Sequence, residues 1–246
     1  MEEVTGGGYR KKISYLIFFP PSPLTNNVMP ASSFARTQMT YQQVRAWSVL
    51  PPEVLDVFQR LPREDFVPDA WRGAAYGDIA IPLGHGQHML TPTLAGRILQ
   101  AVTPRRTDRV LEIGTGSGYL SACLGLLASQ VHSLEIRPEF ARRARTHLKN
   151  AGVGNVEVEE ADAYGWKPAA PGYDIVVLTG SLPEYDPRFE ALLVPGGRLF
   201  LVTGEAPVME ARLLRKDAEK IKDVHSLFET VIDPLEHAAA PDAFVF

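Results

Sequence analysis

The stretch Val110-Leu111-Glu112-Ile113-Gly114-Thr115-Gly116-Ser117-Gly118 limits what this chain can fold into more than any other. Val110 to Ile113 reads as a short buried strand, and the apolar-periodic run Tyr119 to Leu127 reads as a helix. Three alternating glycines between them allow a tight reversal, a close ligand approach and a helix that starts near its strand. This is the junction of an open α/β sheet, with a nucleotide-type site at the carboxyl end of a strand. The turn lacks the G-x-x-x-x-G-K-[ST] pattern, which disfavours a phosphate cradle for ATP or GTP.

The downstream chain repeats the alternation. Val131 to Ile136 is the next strand and delivers Glu135, at the separation where an acid accepts hydrogen bonds from both hydroxyls of a ribose. The plainer alternative is that Glu135 only starts the helix Pro138 to Leu148. Val156 to Val158 leads to Asp162, an acceptor for an adenine amino group or simply an acidic loop residue. Tyr173 to Leu178 delivers Thr179-Gly180-Ser181 to the same sheet end. Phe189 to Leu193 reads as a short helix, Pro195-Gly196-Gly197 as a turn, and Arg198 to Thr203 as a fifth strand. Such alternation predicts a mostly parallel sheet. The runs Val208 to Arg215 and Val224 to Ile232 flank a charged connection and predict an antiparallel strand pair at the sheet edge. Pro234 to Phe246 is either a loop returning toward the site or a loose tail.

With these residues in view, Glu112-Ile113-Gly114-Thr115-Gly116-Ser117-Gly118-Tyr119 resembles the first motif of class I S-adenosylmethionine-dependent methyltransferases. It is most similar to the protein-L-isoaspartate O-methyltransferase family. Pro62-Arg63-Glu64-Asp65-Phe66-Val67-Pro68, Ala75-Tyr76, Ile81 to Gln87 and Pro195 to Leu199 resemble that family too. The resemblance implies a Rossmann-like α/β fold with helices on both faces and an antiparallel C-terminal strand pair. It also implies S-adenosyl-L-methionine as cofactor and methyl transfer to a protein or peptide carboxylate, in protein repair and in the cytoplasm. Candidate cofactor-binding residues are Glu112, Gly114, Thr115, Gly116, Ser117, Gly118, Glu135, Ile136, Asp162, Ala163 and Thr179. Candidate acceptor-positioning residues are Gln87, His88, Thr91 and Thr179, with His85 less favoured. The chain departs from the family where Thr-Ile-Ser-Gln-Pro commonly follows Gly-Gln. Here His88-Met89-Leu90-Thr91-Pro92 follows, so Leu90 stands at the serine position and donates no hydrogen bond. That leaves open a different acceptor, or a cofactor-binding protein without isoaspartyl activity.

Upstream, the 246 residues divide into an extension at 1–38, a helical and loop region at 39–105 that covers the site, and the sheet domain at 106–246. The extension carries Arg10-Lys11-Lys12, an apolar Ile13 to Phe19 and then a proline run. The apolar run is too short and proline-broken for a secretory signal. A disordered extension with its start at Met29 or Met39 fits better. Helical periodicity is expected from Thr40, as cap, to Pro51, then over Glu53 to Arg60, with Arg63-Glu64-Asp65 as a solvated turn or a helix start. Tyr76 to Gln87 is rich in turn formers and reads as a loop. Thr91 is the expected cap of a helix that buries Leu94, Ile98, Leu99 and Val102.

Composition excludes several classes. A formal net charge of -4 leaves no broad footprint for nucleic acid, and the basic run Arg137 to Arg145 reads as a solvated helix face. The single cysteine, Cys123, excludes an internal disulfide framework and reads as a buried small residue. No carboxylate or cysteine recurs beside His85 and His88 at a metal-ligand spacing. No apolar run is long enough to cross a membrane.

Overall fold

The structure is a computed structural model that describes residues 31–47, 51–168, 172–218 and 220–238. The readings of the stretches before residue 31 and after residue 238 lie outside the described residues. Helix α1 (Ala31–Gln38) continues through a wider turn at Met39–Val44 and a tighter one at Arg45–Trp47. The helical region therefore begins ahead of Thr40, which is not a cap. The Thr40 hydroxyl donates to Arg36 O at 2.9 Å within the continuous helical stretch. No residue of α1 is buried, which is why no apolar period marks it. Helix α2 (Pro52–Arg60) opens on a proline already set for the first turn and buries Val54, Leu55, Val57 and Phe58.

The expected loop before the site is an antiparallel hairpin of β1 (Ile81–Gly84) and β2 (Gln87–Met89). Gly84, His85 and Gly86 all take positive φ at its tip, so the turn formers reverse a hairpin instead of filling a loop. Helix α3 (Pro92–Val102) starts as expected, with Leu94 N donating to Thr91 Oγ1 at 3.2 Å.

The strand and helix alternation follows. In order come β3 (Arg109–Ile113), α4 (Tyr119–Leu127), β4 (Gln130–Glu135), α5 (Pro138–Asn150), β5 (Val156–Glu160), β6 (Tyr173–Leu178), β7 (Leu193–Glu205), β8 (Val208–Lys216) and β9 (Ile221–Glu229). One sheet takes them in the order β5-β4-β3-β6-β7-β8-β9. The pairs from β5 to β7 are parallel, and β8 and β9 add antiparallel strands at the edge. Pro195-Gly196-Gly197 lies inside β7, at the break in register between Tyr173 opposite Leu193 and Ile175 opposite Arg198. The expected helix before it is a single tight turn, Glu190–Leu192. No described helix is long and apolar enough to cross a membrane.

Alternate residues of each strand feed two separate cores, as the two-residue period of a strand requires. Val110, Val131, Val158, Ile175, Val177 and Phe200 pack with residues of α2 to α5. Leu111, Ile113, Leu134, Val176, Leu178 and Leu199 pack on the opposite face. There they meet Tyr164, Trp166, Leu182 and Phe189 from connecting segments. No described α-helix closes that second core. Cys123 is fully buried in the first core, as expected. The chain leaves β3 for β4 on one side and returns to β6 on the other, so a crevice opens at the carboxyl end of β3.

Gly125 sets how closely α4 lies on the entrance to β5. A methyl group there would come within 2.7 Å of Val156 and 2.8 Å of Val153. Gly125→Ala gains helix propensity of about 1 kcal/mol, against about 1–3 kcal/mol for forcing an extra carbon into packed side chains. Urea unfolding is expected to show a net loss of stability; a gain would mean that the two valines yield freely.

Candidate functional site

A cavity of about 420 Å³ opens at the carboxyl ends of β3, β4 and β6. The glycine turn after β3 forms its floor. Gly114 N and Thr115 N donate to Leu134 O at 2.9 and 3.2 Å, which ties the turn to β4. The Thr179 hydroxyl lies 2.6 Å from Gly114 O and 3.0 Å from Ile113 O, which ties it to β6. Gly114 has φ 98° and faces that hydroxyl so closely that a side chain would collide with it. Thr179, expected as a catalytic and cofactor residue, therefore spends its proton on the turn. Gly118 is outside the cavity wall; its missing side chain lets α4 start against Ala144 of α5.

Glu112 sits next to this turn and is fully buried. Ser121 Oγ donates to its Oε2, and Ser133 Oγ donates to the same atom at 2.6 Å. The Thr115 hydroxyl pairs with Ser133 at 2.6 Å. Glu112 Oε1 has no hydrogen-bond partner. Burial pushes the Glu112 carboxyl up to about 7, against the pull of the two serine hydroxyls.

The two strand-end acids reach the same cavity. Glu135, at the end of β4, accepts from Gly116 N at 2.8 Å and Arg137 N at 3.0 Å. Burial raises its carboxyl above the ordinary value, and those two amides act in the opposite direction. Asp162 accepts from Tyr164 N at 2.9 Å and pairs with His237 Nδ1 at 2.7 Å. Burial opposes its ionisation, yet the bonds from Tyr164 and His237 outweigh that and hold its carboxyl below the ordinary range. Thr115, Ser117, Ile136 and Ala163 complete this part of the wall.

Gln87, His88, Leu90 and Thr91 border the cavity from the hairpin side. His88 N donates to Asp233 Oδ2 at 2.6 Å, and His88 Nδ1 lies 3.1 Å from the same oxygen. Thr91 acts as the cap of α3 while lining the wall. His85 is outside the cavity wall and pairs with Glu139 at 2.6 Å.

One contribution escapes the reading of the chain, and another decides between two alternatives that the reading left open. Arg63, expected in a solvated turn, is completely buried in the cavity wall. Its Nε donates to Ala75 O at 2.9 Å, its Nη2 to Leu90 O at 2.8 Å, and its guanidinium lies 5.0 Å from the centre of the Tyr119 ring. Burial pulls its pKa down to about 10, while Nη1 has no partner. Its neighbours Glu64 and Asp65 disguise it as part of a solvated charge run. The other contribution is the strap after β9, where Val231 to Glu236 all line the cavity. Ser181 N donates to Asp233 O and Leu235 N to Ser181 O, both at 2.9 Å. Gly180 makes room, since a methyl group there would meet Leu235 Cα at 2.8 Å. Three side-chain pairs pin the strap: Asp233 to His88, Glu236 to Arg137 at 2.5 Å, and His237 to Asp162. Of the two alternatives for the stretch from Pro234, its described part takes the loop that returns toward the site, and that loop starts earlier, at Val231.

A parallel sheet of this order, continued by an antiparallel edge and with its cavity at the switch point, defines a class I S-adenosylmethionine-dependent methyltransferase fold. The family model for Protein-L-isoaspartate(D-aspartate) O-methyltransferase matches residues 36–235, and the chain belongs to that family. It is 38% identical over 197 residues to Protein-L-isoaspartate O-methyltransferase 1 of Rhodopseudomonas palustris (strain HaA2), covering 79% of this chain and 80% of the relative. It is 40% identical over 187 residues to Protein-L-isoaspartate O-methyltransferase of Anaeromyxobacter dehalogenans (strain 2CP-C), covering 75% and 89%. Two solved structures share the fold. A protein-L-isoaspartate O-methyltransferase superposes with a TM-score of 0.72 at 21% identity, over 81% of this chain and 65% of its own length. A Plasmodium falciparum beta-aspartate methyltransferase in complex with S-adenosyl-L-homocysteine gives 0.70 at 16% identity, over 82% and 98%. The chain is thus an S-adenosylmethionine-dependent O-methyltransferase of the isoaspartate type.

The raised Glu112 carboxyl makes stability depend on pH. The folded protein holds a proton that the unfolded chain, with an ordinary carboxyl near 4.5, releases earlier. Its contribution is fully present below about pH 4.5, falls as pH rises, and is gone above about pH 7. Against Glu112→Gln, wild type should lose on the order of 3 kcal/mol of unfolding free energy across that window. Equal slopes for the two proteins in urea titrations at pH 4 to 8 would mean that Glu112 titrates normally.

Proposed function

We propose that the cavity binds S-adenosylmethionine along the glycine turn, Glu135 and Asp162, and presents a protein or peptide carboxylate at Gln87 to Thr91. The observation that carries this reading is that all of these groups border one cavity. Its wall holds five carboxylic side chains, Glu112, Glu135, Asp162, Asp233 and Glu236, against two arginines, Arg63 and Arg137. That imbalance suits a cationic ligand. Gly114, Thr115, Gly116 and Ser117 supply the close backbone approach for its amino-acid end, and Glu112 lies behind them. Glu135 has lone pairs left for ribose hydroxyls. Asp162 would receive the adenine amino group beside Ala163, in exchange for or together with His237. Ile136 closes the adenine side.

S-adenosylmethionine, when bound, supplies a sulfonium methyl group to a nucleophile held in line with it. A carboxylate is already ionised near neutrality, so the chain need only position it and keep water out. Leu90, Met209, Val231 and Ile232 provide an apolar wall for that exclusion. Gln87, His88 and Thr91 carry the polar groups that can orient the acceptor. Thr179 remains an acceptor of hydrogen bonds only, because its proton serves the turn.

Two measurements test the assignment. Glu135→Ala should weaken calorimetric binding of S-adenosylhomocysteine by about 1–3 kcal/mol, and Glu135→Gln by less. Unchanged affinity in the folded alanine variant removes the ribose role. On an isoaspartyl peptide, wild type should turn over slowly, because Leu90 leaves the acceptor short of a hydroxyl donor. An unpaired buried acceptor is penalised by about 1–3 kcal/mol, so Leu90→Ser should raise kcat/KM by roughly tenfold or more. Equal turnover in the two proteins would show that this position does not select the acceptor.

A further inference from the structure

We propose that the same cavity also methylates a neutral phenolic hydroxyl, with His88 as the general base and Asp233 as the group that orients it. The proposal rests on the methyl donor assigned above and extends the acceptor beyond a carboxylate.

The dyad geometry carries it. His88 Nδ1 lies 3.1 and 3.3 Å from the two oxygens of Asp233, and the backbone N of His88 donates to one of them at 2.6 Å. An ionised carboxylate only accepts, so Nδ1 carries the proton and Nε2 keeps its lone pair. Among the described residues, Nε2 has no hydrogen-bond partner. Asp233 is itself held in place, because Ser181 N donates to its backbone carbonyl and Pro234 bridges to Ser181. Both members of the dyad line the cavity.

Transfer to a carboxylate gives such a base nothing to do, since that acceptor has already lost its proton near pH 4. A phenol, with an ordinary pKa near 10, keeps its proton at neutral pH and does need a base. Charge points the same way. The other ionisable groups of the wall are Arg63, Glu112, Tyr119, Glu135, Arg137, Asp162 and Glu236. A neutral hydroxyl approaches Asp233 and Glu236 with no charge repulsion to overcome. Leu90, Ala206, Met209 and Val231 offer the apolar surface on which an aromatic ring rests. Leu90, which deprives a carboxylate of a donor, therefore suits this second acceptor. In the step, the phenol proton passes to His88 Nε2 while its oxygen forms the bond to the methyl carbon and the carbon–sulfur bond breaks. The products are an aryl methyl ether, a neutral thioether and an imidazolium that returns its proton to solvent.

The experiment uses the full chain, with p-cresol as acceptor and labelled S-adenosylmethionine. Labelled ether should form, with kcat/KM rising with pH through one histidine-like ionisation and then levelling. His88→Gln should lower kcat by at least a hundredfold with little change in the KM for p-cresol, and Asp233→Asn by at least tenfold. Without turnover, nitrogen NMR of the S-adenosylhomocysteine complex should show His88 protonated on Nδ1, shifting to mixed tautomers in Asp233→Asn. Absence of ether from a protein that binds S-adenosylhomocysteine and methylates an isoaspartyl peptide overturns the proposal and leaves the carboxylate reading standing. Equal ether formation by His88→Gln, or a His88 ring protonated on Nε2, overturns it as well. Failure to bind S-adenosylhomocysteine overturns the donor assignment and this inference together.

Discussion

A network of hydroxyls and carboxylates at the carboxyl end of β3 holds the glycine turn in place, and the rest of the site is arranged against it. Thr179 grips the carbonyl of Gly114 from β6, Glu135 grips the amide of Gly116 from β4, and Thr115 reaches Ser133 and through it Glu112. These bonds tie the turn to both neighbouring strands, to β6 through Thr179 and to β4 through Glu135 and Ser133. The turn is consequently a rigid product of the sheet, unlike a loop that has to be ordered by its ligand. Only glycine meets the steric demand at position 114, where the Thr179 hydroxyl occupies the space of a side chain. Residues at several separated strand positions thus have one job between them.

Across the cavity, the strap after β9 is held by charge where the turn is held by buried hydroxyls. One ion pair, Glu236 to Arg137, and two histidine–carboxylate contacts connect it to the start of α5, to the hairpin and to the loop after β5. These pairs are partly exposed, and pairs of that kind contribute little individually. Together they position the strap without burying a charge that would have to be desolvated. All three use carboxylates, Asp233, Glu236 and Asp162, that also line the cavity. Binding and closure share groups: a ligand that takes Asp162 competes with His237, and one that occupies the wall beside His88 meets Asp233. Such sharing links what occupies the cavity to how tightly the strap is held.

The donor half of this arrangement was legible because it is local. Strand, glycine turn, helix and strand-end acid follow each other within single βα units, so periodicity and turn chemistry place Gly114, Glu135 and Asp162 directly. The parallel sheet and its antiparallel edge followed from the same alternation. Other features depended on contacts that no period records. Arg63 looked solvated because its sequence neighbours are charged, yet its partners are backbone carbonyls 12 and 27 residues away. The hairpin of β1 and β2 looked like a loop because its strands are only four and three residues long and glycines flank its tip. Helix α1 was invisible because it buries nothing, and apolar periodicity is only a record of burial. Thr179 was recognised as a site residue, but its donation to the glycine turn required the β3 and β6 pairing to be seen.

The same division separates what is constrained in this enzyme from what is free to diverge. The glycine turn is locked by sheet geometry, because a change at Gly114 or Thr179 disturbs two strands at once. Groups facing the acceptor come from a two-strand hairpin and a strap, each attached to the sheet domain through side chains and a few backbone bonds. Leucine in place of the serine of the family pattern leaves the bond from Arg63 intact, since Arg63 holds the backbone carbonyl of Leu90 and not its side chain. The loop keeps its path while its chemistry changes. His88 and Asp233 then meet across 145 residues of sequence, each from an element that the donor site does not need. A cavity wall assembled in this way can exchange a hydroxyl for an apolar contact and gain a histidine–carboxylate dyad while the glycine turn keeps its place in the sheet.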